Sequence, residues 1–472
     1  MSFLLETDRG CVTAPAGTGK TQLLAEAVAT YRGSRPILVL THTNAGVAAM
    51  RRRLKTLQVD QRYFQISTLD GLALRLVKMF PQRSCHQFDA NAERIDYPAV
   101  REAMVKLLSG HAIDDVLKAN FARILVDEYQ DCDVVQHTIV CNLAELFPTC
   151  VLGDPLQQIF TFRGNTLPTW DVVQGHFHAH HTLNTPWRWL RAETPEFGNW
   201  LLGIRSALLN RQRIDLSQAP RANVEYIPSG NEEAIKGKLL ALGREPGPSL
   251  IIGNSMVVGS RHQLGRITPG ASIVEPVDLR DLTTFARDLD AQLSLGQAAG
   301  NSVLGIVHQF AQSVMTALPS QRELQSRIAS IRSHRNINPP SPLESQAILL
   351  EDQPSYIAIS GLLKLFHEIP SARVFRPTVF RTAIDAIAIV VTGHAPNLLA
   401  AVAEKRERMR HTSPELPRCA IGSTLLLKGL ESEKALITDA NDMNTRHLYV
   451  ALTRASKKVV VCATSPHLPL RV

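Results

Sequence analysis

The sequence predicts an α/β protein of more than one domain, built around a phosphate-binding loop, and three observations predict it. The first is the stretch Ala14-Pro-Ala-Gly-Thr-Gly-Lys20-Thr21, set between a short apolar run, Gly10–Thr13, and a helical pattern over Lys20–Arg32. The second is the alternation of short apolar runs with helix-period segments that continues after it. The third is length, since 472 residues exceed one ordinary core and predict roughly two to four domains.

In the loop, Ala16, Gly17, Thr18 and Gly19 form the turn, and the glycines let backbone N–H groups face inward while the following helix adds its positive end. Lys20 is placed to reach the β- and γ-phosphates of a nucleoside triphosphate, and Thr21 to hold Mg²⁺. A second strand, Pro36–Thr43, runs into a helix at Ala45–Leu54, with Asn44 as the expected N-cap. Thr43 and Asn44 suit either a phosphate grip or simple capping. A third strand–helix step comprises Phe64–Gly71 and then a helix from Leu72. Residues 80–120 carry Pro81 and two helical patches, Tyr97–Leu108 and Ile113–Asn120, and read as a small helical insertion.

The alternation resumes at Phe121–Val126 and ends on Asp127-Glu128. Two acids after an apolar strand are either helix caps or the complement of the phosphate loop, with Asp127 toward Mg²⁺ and Glu128 orienting and deprotonating water. After the helix Val134–Leu146 and the strand Cys150–Asp154, Gln157 is placed to sense the γ-phosphate. Phe160, Phe162 and Arg163 offer the stacking and cationic groups that single-stranded nucleic acid uses, or else aromatic core packing. His176, His178, His180 and His181, with no thiolate or carboxylate pattern beside them in sequence, read as a polar linker.

Composition narrows the classes. Hydrophobic residues make up 44% and charged residues 20%, a globular balance and not a disordered one. The net charge of +8 and pI near 9.2 suit a polyanionic partner. Seven cysteines without a CxxC pair are expected to be reduced thiols of a cytoplasmic protein, with no zinc site. The Phe3-Leu4-Leu5 run is too short for a signal peptide, and Ala383–Val391 is too short and too interrupted by Asp385 to span a bilayer. No membrane partner is expected.

The ordered set APAGTGKT (14–21), LTHTNAGVAAMRRRL (40–54), DEYQD (127–131), GDPLQQIFTFRG (153–164), PWRW (186–189), LKGLE (427–431) and YVALTRA (449–455) resembles the UvrD/Rep group of superfamily 1 DNA helicases. The resemblance implies two tandem RecA-like P-loop NTPase domains with helical insertions. The expected layout is 1A at 1–79 and 121–175, 1B at 80–120, 2A at 176–285 and 396–472, and 2B at 286–395. It also implies ATP and Mg²⁺ between the two domains and 3′→5′ movement along single-stranded or partly duplex DNA. Carried over by position, Lys20, Thr21, Asp127 and Glu128 keep the roles above, and Gln157 couples the γ-phosphate to the DNA path. Arg188 and Arg454 match the two arginines that reach the γ-phosphate. Trp187 stands where a tyrosine stacks on adenine, and Glu431 matches a glutamate near the ribose. Thr43, Asn44, Thr68, Phe160, Phe162 and Arg163 match DNA-contacting positions.

The chain departs from the family pattern at four places. No adenine-reading glutamine precedes Ala14, Asp70-Gly71 replaces His-Ser, Leu425 replaces a histidine and Ser432 replaces an aromatic. The TLDG and LLLKGLE forms are similar to helicase subunits of prophage or Gabija-type defence systems, which work with a separate nuclease; no nuclease domain is expected after residue 463. A nucleotide-switched DNA sensor that regulates such a nuclease is the alternative, and a small-molecule kinase fails on the Gln157, Arg188 and Arg454 set. Trp187→Ala is expected to raise the KM for ATP more than it weakens DNA binding, in paired kinetic and binding titrations. Equal effects on both would contradict stacking on the base.

Overall fold

The apolar runs that begin at residue 9 assemble into one parallel sheet. In the computed structural model, which describes residues 3–87, 95–160, 166–295, 300–335, 337–411 and 417–470, its strands are β1 (Arg9–Thr13), β2 (Ile37–Thr41), β3 (Phe64–Thr68), β4 (Arg123–Val126), β5 (Thr149–Gly153) and β6 (Ala179–Thr182). Their spatial order is β3-β2-β4-β5-β1-β6 and every neighbouring pair is parallel. The helices are α1 (Phe3–Glu6), α2 (Lys20–Thr30), α3 (Asn44–Thr56), α4 (Leu69–Met79), α5 (Pro81–Ser84), α6 (Tyr97–Ser109), α7 (Asp114–Asn120), α8 (Val134–Leu146) and α9 (Trp170–His176).

The strands read as nearly continuous apolar runs because both faces are covered. Val12, Val39, Leu125 and Leu152 pack on one side with Leu24 and Val28 of α2 and Met50 and Leu54 of α3. Leu38, Leu40, Ile124, Val126 and Val151 pack on the other with Leu72 and Leu76 of α4, Met104 and Leu107 of α6, and Ile139 and Leu143 of α8. Helix α6 therefore shares the core of the sheet. Parallel pairing also sets all six carboxyl ends along one edge, so the segments after β1, β2, β3, β4 and β5 converge there.

Two local expectations are corrected. Asn44 is already helical, and the cap of α3 is Thr43, whose Oγ1 accepts from the Gly46 amide at 3.1 Å. The histidine segment is not a linker: Ala179–Thr182 pairs with β1 in the register Cys11↔His180, and Phe3 stacks on His181 at 5.2 Å. The far edge of β1 needs partners for its backbone groups, a demand that lies about 170 residues upstream of the segment that meets it, too far for a local pattern to reveal.

Asp70, one of the departures from the family pattern, has a structural task. Arg101 of α6 forks onto its carboxylate at 2.6 and 2.7 Å and also reaches Asp133, and Gln136 of α8 donates to it at 2.9 Å. Asp133 in turn closes a capping box with Gln136 at the start of α8. This cluster fastens α4, α6 and α8 together.

Ala271–Ile273, Cys419–Gly422, Ser249–Ile252 and Ser432–Ile437 form a further parallel sheet in that order, and Ala455–Ala463 pairs in parallel with Val224–Pro228. The chain divides into two compact units, 1–228 with 440–472, and 229–439. In the second unit, seven helices among the described residues between Arg280 and His411 enclose a core of their own, with Phe285 stacked on Phe310 at 4.0 Å. Arg376, buried at the start of one of these helices, pairs with Glu275 at 2.6 Å and Asp281 at 2.9 Å. No helix among the described residues is long and apolar enough to cross a membrane.

Burial pushes the Asp70 carboxyl up, but the Arg101 fork and the Gln136 bond outweigh it and hold the group below the usual carboxylate range. A depressed pKa contributes stability that is complete above the unfolded value and is lost as pH falls through the folded one. Asp70→Asn is therefore expected to reduce stability at neutral pH and to flatten its decline between about pH 5 and pH 3. Parallel stability–pH curves for the two proteins would contradict this.

Candidate nucleotide site

The loop after β1 is shaped by Gly17 and Gly19, at φ 71° and 87°, a region open to glycine without strain. A Cβ on Gly17 would lie 2.5 Å from the Trp189 ring, and one on Gly19 would meet Trp187 at 3.2 Å. The two tryptophans of the PWRW segment thus back the loop directly. Trp189 is buried and its indole donates to the Ala455 carbonyl at 3.0 Å, whereas Trp187 is 48% exposed beside Gly19. The Thr18 hydroxyl donates to Pro15 O, closing the turn at 2.7 Å.

Lys20 opens α2 and its ammonium lies 2.7 Å from Glu128 and 3.3 Å from Asp127. Burial alone would pull the lysine down, yet the two carboxylates outweigh it and hold the ammonium above its ordinary value. Asp127 is raised in turn by burial, against the lowering charge of Lys20. Its amide donates to Leu40 O of β2 at 2.8 Å, which sets the acid at the edge of the sheet. Glu128 is left-handed at φ 53°, an uncommon conformation for a residue with a side chain and one that clusters at functional sites. The set fits a nucleotide with a hard divalent cation: a cradle of backbone N–H groups, a buried ammonium, and a carboxylate beside it.

Behind these groups runs a buried network whose partners are far apart in sequence. Gln130 donates to Glu128 Oε2 at 2.5 Å and accepts at its other end from the Asp154 amide at 3.0 Å. Gln157 donates to the Asp154 carboxylate at 3.1 Å. Asp154, with no exposed surface, receives both arms of Arg205 at 2.7 and 3.0 Å. Arg205 also donates to the Tyr449 hydroxyl at 2.6 Å, and that oxygen accepts from the Ala16 amide of the loop at 3.3 Å. Burial would lower the Arg205 guanidinium, but Asp154 holds it above its ordinary value; Tyr449 is pushed up by burial and by the same carboxylate.

The two candidate arginines meet at Thr453. Arg188 donates to its carbonyl at 2.6 Å while the Arg188 amide donates to Gly17 O at 3.0 Å. Arg454 is buried, with Nε donating to Val450 O at 2.8 Å and Nη2 to Thr453 Oγ1 at 3.2 Å. Lys20, Asp127, Glu128, Gln157, Trp187, Arg188 and Arg454 are thus gathered in one unit, with Thr21 on the first turn of α2. Thr43 and Thr68 cap α3 and α4, Thr68 Oγ1 accepting from the Gly71 amide at 2.9 Å. Asn44 follows Thr43, and the Phe160 ring lies 6.0 Å from that of His42. Phe162 and Arg163 lie outside the described residues, and Glu431 is exposed in the second unit. Gln130 and Arg205 are additions that sequence reasoning missed. Gln130 stands inside a motif that offered a signal; Arg205, 51 residues from Asp154 and 244 from Tyr449, offered none.

A parallel sheet with this loop, lysine and acid pair at its carboxyl edge defines a P-loop nucleoside triphosphatase fold of RecA-like type. Residues 4–115 and 87–178 match the UvrD/REP helicase N-terminal domain, so this stretch is similar to UvrD-like helicases of superfamily 1. It is similar to the RecBCD enzyme subunit RecB of Escherichia coli, 32% identical over 104 residues, and to RecB of Mycobacterium tuberculosis, 26% identical over 192 residues. These stretches are 21% and 40% of this chain but only 8% and 16% of the RecB chains. A structure of arterivirus nonstructural protein 10, a helicase, with DNA matches over 52% of this chain and 47% of its own, at 13% identity and a TM-score of 0.26, too low to carry weight.

Removing Arg205 would strand a buried carboxylate. Arg205→Met is expected to cost about 3–5 kcal/mol in urea unfolding. Adding Asp154→Asn should recover much of the loss, because the stranded charge is then gone. A double variant no more stable than Arg205→Met would show that the ion pair is not the cause.

Proposed function

We propose that the chain is an ATP-dependent DNA helicase or translocase, hydrolysing ATP with Mg²⁺ to move 3′→5′ on single-stranded or partly duplex DNA. The observation that carries this reading is the contact of Lys20 with Asp127 and Glu128 at the mouth of the phosphate loop, with Arg188 and Arg454 meeting at Thr453 in the same unit. Similarity to RecB over the N-terminal stretch supports DNA as the polymer. The RecB relatives are subunits of an enzyme, which favours a partner chain here, and a separate nuclease is the partner we propose. The domain layout given above, 1A, 1B, 2A and 2B, is part of the same reading.

Gly17, Gly19 and the start of α2 cradle the phosphates, and Lys20 moves its ammonium from Glu128 to the β- and γ-oxygens. Thr21 and Asp127 would hold Mg²⁺, which would supply neutralising charge to the phosphates. Glu128, freed of Lys20, takes a proton from water as the water oxygen bonds to the γ-phosphorus and the bond to the β,γ-bridging oxygen breaks. Arg188 and Arg454 stabilise the charge that develops on the transferred group. Trp187 and Glu431 are assigned to the base and ribose. Gln157 shares Asp154 with Gln130, whose amide grips Glu128, so a shift at the acid is passed to the segment that leads to Phe160. Thr43, Asn44, Thr68, Phe160, Phe162 and Arg163 are assigned to the DNA path.

Single-stranded DNA is expected to stimulate ATP hydrolysis, and Lys20→Ala and Glu128→Gln to lower turnover by on the order of 10²–10³-fold. Strand displacement on 3′-tailed against 5′-tailed duplexes tests the direction. Hydrolysis indifferent to DNA, or full activity in Glu128→Gln, would overturn the reading.

A further inference from the structure

A group remote from the phosphate loop in sequence brings together three metal-ligating side chains. Among the described residues, His137, Cys141 and His176 each offer a ligand atom, and these atoms all lie within 4.8 Å of one another. His137 and Cys141 stand one turn apart on α8, and His176 closes α9. The thiol sulfur is 3.6 Å from His137 Nε2. Tetrahedral zinc, with bonds of about 2.1 Å to nitrogen and 2.3 Å to sulfur, spaces an N and an S ligand about 3.6 Å apart. The two rings meet edge to face with centroids 4.9 Å apart.

The other nitrogen of each ring is already engaged. His137 Nδ1 pairs with the Tyr129 hydroxyl at 2.7 Å, and His176 Nδ1 lies 3.0 Å from the Val172 carbonyl. A carbonyl accepts only, so His176 Nδ1 carries the proton and Nε2 keeps its lone pair. Outer partners of this kind fix the tautomer and orientation of metal-bound histidines. His137 is buried, Cys141 half-buried and His176 exposed. The group is therefore open on one side, where water completes the coordination.

We propose that His137, Cys141 and His176 form a binding site for a zinc-type divalent ion, with two imidazoles, one thiolate and a water as ligands. The thiol proton passes to solvent as the sulfur–metal bond forms, and no electron is transferred. The sequence reading expected no zinc site because the histidines at 176–181 have no thiol near them in the chain; the fold supplies one, 35 residues upstream of His176, by laying α8 beside α9. The ion would tie the end of α9 to α8. Through Tyr129 it would also tie both to the DEYQD segment. The proposal does not depend on the helicase reading, since its readout is metal binding.

Titration of the purified full chain with Co²⁺ tests it. One equivalent should bind with a near-ultraviolet thiolate-to-cobalt band and the visible bands of a four-coordinate ion, and Zn²⁺ should displace it. Cys141→Ser should abolish the thiolate band, and His176→Ala, at an exposed position that leaves folding intact, should weaken binding at least tenfold. Tyr129→Phe should weaken it by about 10–100-fold, the usual cost of losing an outer partner. Cys85→Ser, at an exposed cysteine elsewhere, should bind as the unaltered chain does. A chain that takes up no Co²⁺, or Cys141→Ser and His176→Ala variants that bind like the parent, would overturn the proposal.

Discussion

Asp154 is wholly buried, and both arms of Arg205 close on its carboxylate. A buried ion pair of this kind adds little net stability over an apolar pair, but breaking it is expensive. Its value in this fold is geometric. The carboxylate also orders Gln157, its backbone amide orders Gln130, and Arg205 orders the tyrosine that touches the phosphate loop. Four motif segments that share no sequence proximity are thereby held to one another by directional bonds. Nothing in the apolar core could fix their relative placement so closely, because dispersion contacts tolerate sliding that a forked guanidinium does not.

The sheet supplies the frame in which this network works. Six parallel strands need cover on both faces, which commits α2 and α3 to one side and α4, α6 and α8 to the other. The carboxyl edge is left to the loops. Asp70, which breaks the expected family pattern, is spent on that cover through Arg101, Asp133 and Gln136. Asp70-Gly71 in place of His-Ser is thus a packing change in the helical layer.

What the sequence disclosed follows from the range of the interactions involved. Helix α8 at Val134–Leu146 is legible to the residue, because periodicity and caps act over a few positions, whereas the step read as Phe64–Gly71 ends its strand at Thr68 and starts its helix at Leu69. The phosphate loop, Lys20 and the acid pair were legible for the same reason: each sits at a strand end with its own local signature. Asn44 was misread by one position, since both Thr43 and Asn44 are good caps and only the backbone decides between them. The edge strand at Ala179–Thr182, the Arg205–Asp154 pair and the company of Cys141 with His176 depend on contacts between distant segments. Their residue types carry no mark of their partners.

One consequence concerns how such a chain can change. Gly17 has room for no side chain because the Trp189 ring fills the space where a Cβ would stand, and its φ of 71° already disfavours one. Trp189 is held in turn by the Ala455 carbonyl, next to Arg454. Positions 17 and 189 are therefore a single evolutionary unit, although they lie far apart in the chain. Drift at either of them alone reaches the phosphate cradle, so permitted paths between related sequences pass through paired replacements. A smaller ring at 189 must come first, before any departure from glycine at 17.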